Sequence, residues 1–215
     1  MSSLAVNWAT YEATKYACLN WHYSGTVPVG KLVKIGAWED GKYIGVVIFS
    51  YGANNHIGEP YGLDQHSVCE LTRVALCPHE SFVSEILAKA IKMLKVFCPG
   101  LRLIVSYADA EQHHLGGIYQ ATNWIFTGKS DGERYFRLHG KKIHPKSLHS
   151  KGYKQSLPWL KKYVNADYEE FVTMGKYKYL MPLDAKMRKR IQPLAKPYPK
   201  KAKPPENEQS EQITQ

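Results

Sequence analysis

The 215-residue chain predicts an α/β fold of the α+β kind, a mixed and mostly antiparallel sheet flanked by helices. Three observations predict it. Two apolar runs meet at a two-residue turn near Gly41-Lys42, a strand–long helix–strand unit fills residues 67–109, and short strand patterns recur over 123–143. A crossover helix makes the strands that it joins parallel, and tight turns make their neighbours antiparallel.

Residues 8–24 (WATYEATKYACLNWHYS) have helical spacing, with Tyr11, Thr14, Ala17, Cys18 and Trp21 on one broad face. KLVKIGAWED (31–40) and YIGVVIFSYG (43–52) read as a hairpin, followed by a loop rich in Gly, Asn, Pro and His (52–67). SVCELTRVALCP (67–78) alternates: Val68, Glu70, Thr72 and Val74 on one face, Cys69, Leu71, Arg73 and Ala75 on the other. SFVSEILAKAIKMLKVFCPG (81–100) carries a helical stripe of Phe82, Ile86, Leu87, Ala90, Ile91 and Leu94, stopped by Pro99-Gly100. LRLIVSYAD (101–109) is apolar enough to be a central, buried strand. LGGIYQAT (115–122) reads as a short helix, NWIFTGKS (123–130) as a strand and GERYFRLHGKKI (132–143) as a last strand. Beyond about residue 145 the pattern weakens, with one or two short helices over 157–174. From 191 on, Pro, Lys, Glu and Gln predict a disordered tail. The expected organisation is thus a catalytic domain over 1–150, a basic helical or irregular extension over 151–190 and a tail over 191–215.

The chain is 44% hydrophobic and 12% aromatic, which fits a globular domain and excludes a disordered one. No apolar run is long enough for a bilayer span, and the N-terminus lacks the basic-then-apolar pattern of a signal peptide. Cys18, Cys69, Cys77 and Cys98 are scattered without a CxxC pair, which predicts free thiols in a reducing compartment. The formal net charge is +10. Seven lysines and no acid fall within 141–162, and eight basic residues and no acid within 186–203. Such runs favour a polyanion, above all nucleic acid, through counterion release.

The segment VSYADAEQHHLGGIYQATNW (105–124) gathers Ser106, Tyr107, Asp109, His113, His114 and Tyr119 around one strand end. Each has an ordinary reading. Asp109 caps the helix that follows, the histidines face solvent, the tyrosines are core aromatics, and Arg73 holds a structural ion pair.

Taken together, ELTRVAL, VSYAD and HLGGIYQATNWIFTG at these separations resemble the Mom family of bacteriophage DNA-modification proteins, with HY at 22–23 and the strand at 132–139 in similar positions. The resemblance covers roughly residues 10–150. It implies a fold like that of the Gcn5-related acyltransferases. It also implies conversion of adenine in duplex DNA to N6-carbamoylmethyladenine, which shields phage DNA from restriction in the cytoplasm of the bacterial host. Carried over residue by residue, the family's functional positions are His22, Tyr23, Arg73, Ser84, Asp109 and Tyr119. Acyltransferases of that fold hold the coenzyme A pyrophosphate with a glycine-rich loop before the long helix. Here that stretch is LCPHESFVSE, without a glycine, so acetyl-CoA would rest on the helix N-terminus with Ser81 and Ser84.

The implied chemistry sets its own demands. Adenine's amine is a weak nucleophile inside the base stack, so the base must be flipped out. Tyr23, Tyr107, Tyr119 and Trp124 are candidate stacking walls, and Lys141, Lys142, Lys146, Lys151 and Lys154 candidate phosphate clamps. Asp109 would orient or deprotonate the amine, with Ser106, Tyr107, Tyr119 and Arg73 completing the catalytic set. A carbamoylmethyl group is joined through carbon, which a redox metal would help to activate. His22, Asp109 and His114 form a candidate iron(II) ligand set. The runner-up readings are an N-acetyltransferase of another amine and a non-catalytic DNA-binding protein. The oligomeric state, a homodimer included, is left open.

Overall fold

The first element is one that the helical spacing concealed. β1 (Leu4–Trp8) pairs antiparallel with β2 (Leu32–Glu39), and α1 (Tyr11–Trp21) begins only after Thr10. The Thr10 hydroxyl accepts from the Ala13 N–H at 3.1 Å, and this cap sets the boundary. In this computed structural model, which describes residues 3–52 and 54–200, the hairpin partner β3 (Lys42–Ser50) follows as the sequence predicts. Next come β4 (Val68–Leu76), α2 (Val83–Phe97) and β5 (Leu103–Asp109), with β4 and β5 parallel. α3 (Gly117–Ala121) and β6 (Ile125–Lys129) complete the first part of the chain.

The α2 stripe is buried at Ile86, Leu87, Ala90, Ile91 and Leu94 against one face of the sheet. Phe82 is not part of it: it is the residue before the helix and lies exposed. The opposite face is covered by α1 at one end and, at the other, by α6 (Ala185–Ile191), through Met187 and Ile191. α6 is capped by Asp184, which also pairs with Arg102 at 2.8 Å.

Residues 151–190 are not an extension. β10 (Lys176–Pro182) lies between β5 and β6, antiparallel to both, in the sheet order β1-β2-β3-β4-β5-β10-β6. Lysines at 176 and 178 disguised a central strand. The Lys178 stem snorkels across the rings of Tyr61 and Tyr107, with its ammonium 5.2 and 6.0 Å from their centroids.

The stretch 132–143 is a hairpin rather than one strand. β7 (Arg134–Leu138) and β8 (Lys141–Ile143) meet at His139-Gly140, both at positive φ. α4 (Pro145–His149) and α5 (Leu157–Tyr163) follow. The second half of the expected helical region is β9 (Glu169–Val172), which pairs with β7 in a small sheet ordered β8-β7-β9. Phe136, Leu148, Leu160 and Tyr168 give this lobe its own core.

The expected disorder from residue 191 is corrected as far as residue 200. The Lys196 N–H donates to the Phe126 carbonyl at 2.8 Å, the Tyr198 hydroxyl donates to the Trp124 carbonyl at 2.5 Å, and the Tyr198 ring stacks on Tyr179. Residues 201–215 lie outside the described residues. The four cysteines are free, Cys18 and Cys69 buried. Among the described residues no helix is long and apolar enough to cross a membrane.

Candidate functional site

The site begins where the parallel strands part. β4 and β5 pair from Val68 with Leu103 to Leu71 with Ser106, and no further. The reason is a β-bulge. Against β3, Arg73 stands opposite Ile48 and Leu71 opposite Phe49, so Thr72 is the extra residue and turns β4 aside. The bulge also corrects the predicted alternation. Ala75 moves to the α1 side with Ile48, and Arg73 moves with it, away from the face of Cys69 and Leu71.

Ser106 sits at the fork. Its buried hydroxyl donates to the Leu71 carbonyl at 2.8 Å and accepts from the Tyr119 hydroxyl at 2.8 Å. Tyr119 is itself buried, its ring between Trp124 and Tyr179, and burial pushes its hydroxyl up to about 12. Beyond the fork opens a cleft of about 990 Å³, bounded by the outer halves of β4 and β5, the end of α1, and residues 113–120. That volume is at the upper end of ordinary ligand sites. The loop at 115 is pinned to the sheet by the Tyr179 hydroxyl, which donates to the Leu115 carbonyl.

His22, Tyr23, Arg73, Tyr107, Asp109, His114 and Tyr119 all line this cleft. Asp109 caps the turn at 110–112 rather than the later helix, its Oδ1 accepting from the Glu111 N–H at 3.0 Å. Its Oδ2 accepts from the Tyr23 hydroxyl at 3.4 Å. Burial and the Asp109 carboxylate raise the Tyr23 hydroxyl above its ordinary range. The Tyr23 ring lies on His22 at 4.4 Å and edge-on to His114 at 5.9 Å. The His22 Nδ1 accepts from the Ser24 N–H at 3.1 Å, so the neutral ring carries its proton on Nε2. Burial, reinforced by Arg73 and His114, holds this imidazole down at about 4, so it is uncharged at neutral pH.

Among the described residues Arg73 forms no structural ion pair. No carboxylate lies within ion-pair distance of it among the described residues. One Nη1 hydrogen bond goes to the Thr72 carbonyl at 2.7 Å, and its Nε is buried without an acceptor. A half-buried guanidinium left this way is poised for an anion.

Two expectations fail here, the iron ligand set and the Trp124 stacking wall. The iron ligand set is not assembled: among the described residues no three of His, Cys, Asp and Glu come together as metal ligands. Tyr23 is interposed between His22 and Asp109, and a metal on the His22 Nε2 would need a proton on Nδ1, where an N–H donor already points. The residues expected to hold coenzyme A, Ser81 and Ser84, lie in and just after the turn that leads into α2. The Glu39 carboxylate accepts from the N–H groups of Glu80 (2.9 Å) and Ser81 (2.7 Å) and from the Ser81 hydroxyl, so Ser81 is engaged in the turn before α2, whose first residue, Val83, lines the cleft. Ser84 lies outside the cleft, in a shallow surface hollow with Phe82 and Ala88. Trp124, finally, is fully buried core and no stacking wall.

The Glu39 contact has a pH signature. Hydrogen bonds from Glu80 and Ser81 hold its carboxyl at about 2, below its ordinary value near 4.5. A depressed carboxyl stabilises the fold fully above that ordinary value, and the contribution is lost as pH falls toward 2. Glu39→Gln is expected to unfold more readily than the parent at neutral pH, with the gap closing between about pH 4.5 and 2. Denaturant melts at stepped pH check this; a constant gap would refute it.

Trp21, His79, Gln120 and Lys200 also line the cleft and carried no warning in the sequence. His79 is turned by its Nδ1 contact with the Cys77 carbonyl at 2.7 Å, and Lys200 arrives from the far end of the chain.

A family model described as the Mom protein family matches residues 3–200. The chain belongs to the Mom family. This Mom-family chain is 26% identical over 191 residues to the methylcarbamoylase mom of Escherichia phage Mu, covering 83% of this chain and 76% of that protein. Its fold is similar to that of a putative acetyltransferase from Acinetobacter baylyi, with a TM-score of 0.51 and 10% identity over 86% of this chain and 94% of the other. It is also similar to an aminoglycoside acetyltransferase in complex with coenzyme A and kanamycin, with a TM-score of 0.50 and 10% identity over 88% and 99% of the two chains. The Gcn5-related acyltransferase fold implied by the Mom resemblance is therefore the fold observed.

Proposed function

We propose that this Mom-family chain is a transferase that modifies adenine in duplex DNA, leaving N6-carbamoylmethyladenine. The observation that carries the reading is the forked cleft itself. It holds Arg73, which lacks a carboxylate partner among the described residues, and the Tyr23–Asp109 pair, in a space large enough for a flipped base and a small donor. The similarity to a protein named methylcarbamoylase supports it.

In this reading the extruded adenine lies against Tyr23 and Tyr107, of which Tyr23 stands exposed at the rim. Stacking is worth about 1–3 kcal/mol per base, comparable with the cost of unstacking. The bond from N6 to the carbamoylmethyl carbon of the donor forms as that carbon's bond to its leaving group breaks, the leaving group departing with the electron pair, while Asp109 takes the proton that N6 loses. The neutral His22 offers an Nε2–H as donor. Arg73 holds an anionic group of the donor, or a phosphate beside the flipped nucleotide. Ser106 and Tyr119 are positioning residues: they fix the width of the fork. No step is assigned to coenzyme A or iron: no group of metal ligands is assembled among the described residues, and Ser84 lies outside the cleft. The enzyme would act where phage DNA is replicated, in the cytoplasm of a bacterial host.

Mass spectrometry of nucleosides from bacteria expressing the chain tests this. A deoxyadenosine carrying an added C2H3NO group is expected. An added acetyl mass would replace the reading with plain N-acetyl transfer, which the likeness to an acetyltransferase seen with coenzyme A favours as the second choice. Unmodified DNA, bound by the protein, would leave only a DNA-binding function.

A further inference from the structure

The lobe inserted between β6 and β10 is a feature that the cleft chemistry does not use. From residue 134 to 166 it holds nine Lys and Arg and no Asp or Glu, and all nine are exposed. Three are neutralised from outside that stretch: Arg134 by Glu170, Arg137 by Glu169 and Lys142 by Glu111. The other six, Lys141, Lys146, Lys151, Lys154, Lys161 and Lys162, have no carboxylate within ion-pair distance among the described residues. The second basic run differs. Arg188 and Arg190 direct N–H groups to the carbonyls of Asn123 and Tyr61 and so hold α6 against the sheet.

The lobe is also fixed next to the cleft. Its two connecting chains run side by side, with the Ser130 N–H donating to the Lys176 carbonyl and the Thr173 N–H to the Glu133 carbonyl, both at 2.9 Å. They approach so closely that only glycine fits: a Cβ on Gly132 would lie 1.9 Å from the Thr173 carbonyl oxygen, and one on Gly175 2.1 Å from that of Ser130. At the root, Lys142 of β8 bonds Glu111 at 2.9 Å, two residues beyond Asp109. Asp109 lines both the cleft and a small cavity between the sheet and the lobe.

We infer that the lobe of residues 130–175 is a duplex-DNA grip, which holds the phosphate backbone through the six unneutralised lysines and sets the double helix across the mouth of the cleft. The identity of the polyanion rests on the reading proposed above; the grip itself rests on charge and placement. Exposed lysines on short helices and loops read backbone charge rather than bases, so the grip supplies affinity and position without sequence preference. It divides the labour: the lobe binds, the fork reacts.

The test is a titration of a fluorescent duplex with the full chain across a series of salt concentrations. The variant carries Lys146→Gln, Lys151→Gln, Lys154→Gln and Lys161→Gln together. Each lost phosphate contact removes about 0.9 from the slope of log affinity against log salt, so the slope should flatten by about 3 to 4. Affinity near physiological salt should fall at least about tenfold. Lys92→Gln with Lys95→Gln, on the exposed side of α2, should leave the slope as it was. All six substituted lysines are exposed, and superimposable circular-dichroism melts would show that folding is intact. The parent slope retained in the fourfold variant overturns the inference. So does a variant that binds duplex normally but no longer binds vesicles of anionic phospholipid. Nucleoside mass spectrometry on the parent separates this inference from the reading beneath it. Modified deoxyadenosine with an unflattened slope removes the grip alone; a flattened slope with unmodified DNA removes the modification and leaves the grip.

Discussion

Asp109→Asn should lower the yield of modified deoxyadenosine by at least about 100-fold while leaving the protein folded. A positioned general base contributes about 10²–10⁴ in rate, and an amide cannot take the proton. The amide oxygen can still accept from the Glu111 N–H, which is what the carboxylate does for the turn at 110–112. Stability should therefore barely change, and the comparison isolates chemistry from structure. Nucleoside mass spectrometry and a thermal melt on the same preparation read both. Modification within tenfold of the parent would remove Asp109 from the reaction and leave it as a cap.

Truncation should have an equally large effect on folding, and its position matters. A chain ended at residue 175 lacks β10 and α6, and with them the buried side chains of Tyr179, Leu180, Met187 and Ile191. At about 1.5–3 kcal/mol each, that loss equals most of the stability of an ordinary domain, and the chain should not fold. A chain ended at residue 191 keeps β10 but loses the Tyr198 hydrogen bond and its stacking on Tyr179. It should be weaker by about 1–3 kcal/mol, or roughly 2–12 °C in Tm. A chain ended at residue 200 keeps both contacts and serves as the reference for the other two. Calorimetry on the three proteins decides this; a cooperative melt from the shortest would mean that β10 is dispensable.

Those truncation points mark where the sequence stopped being legible. Strong period-two and period-3.6 patterns made β2 to β6, α2 and α3 readable, because an element buried on one or both faces must repeat its apolar residues. β10 broke that rule. Lys176 and Lys178 belong to a strand with neighbours on both sides, and a lysine stem lying across tyrosine rings is not visible as a pattern. β1 was masked by the helical residues beside it, and only the Thr10 cap separates the two. Most residues of the site were legible, since His22, Tyr23, Arg73, Tyr107, Asp109, His114 and Tyr119 do share one cleft. What they do to each other was not. A single extra residue at Thr72 decides which face Arg73 occupies, and Glu39, more than forty residues from Ser81 in sequence, takes up the Ser81 hydroxyl expected to face a cofactor.

The placement of β10 also bears on how the protein comes into being. A strand made late in synthesis is threaded between two made early, so β5 and β6 must wait as unpaired edges until residues 176–182 leave the ribosome. The intervening lobe has a local core and can form during that wait, bringing the two ends of its own loop together. Closure of the sheet is then a non-local step of the kind that makes folding slow. Until it is complete, Tyr179 cannot pin Leu115 and the reactive fork has no fixed floor. A nascent chain can therefore hold the charged lobe before the sheet beneath the cleft is closed.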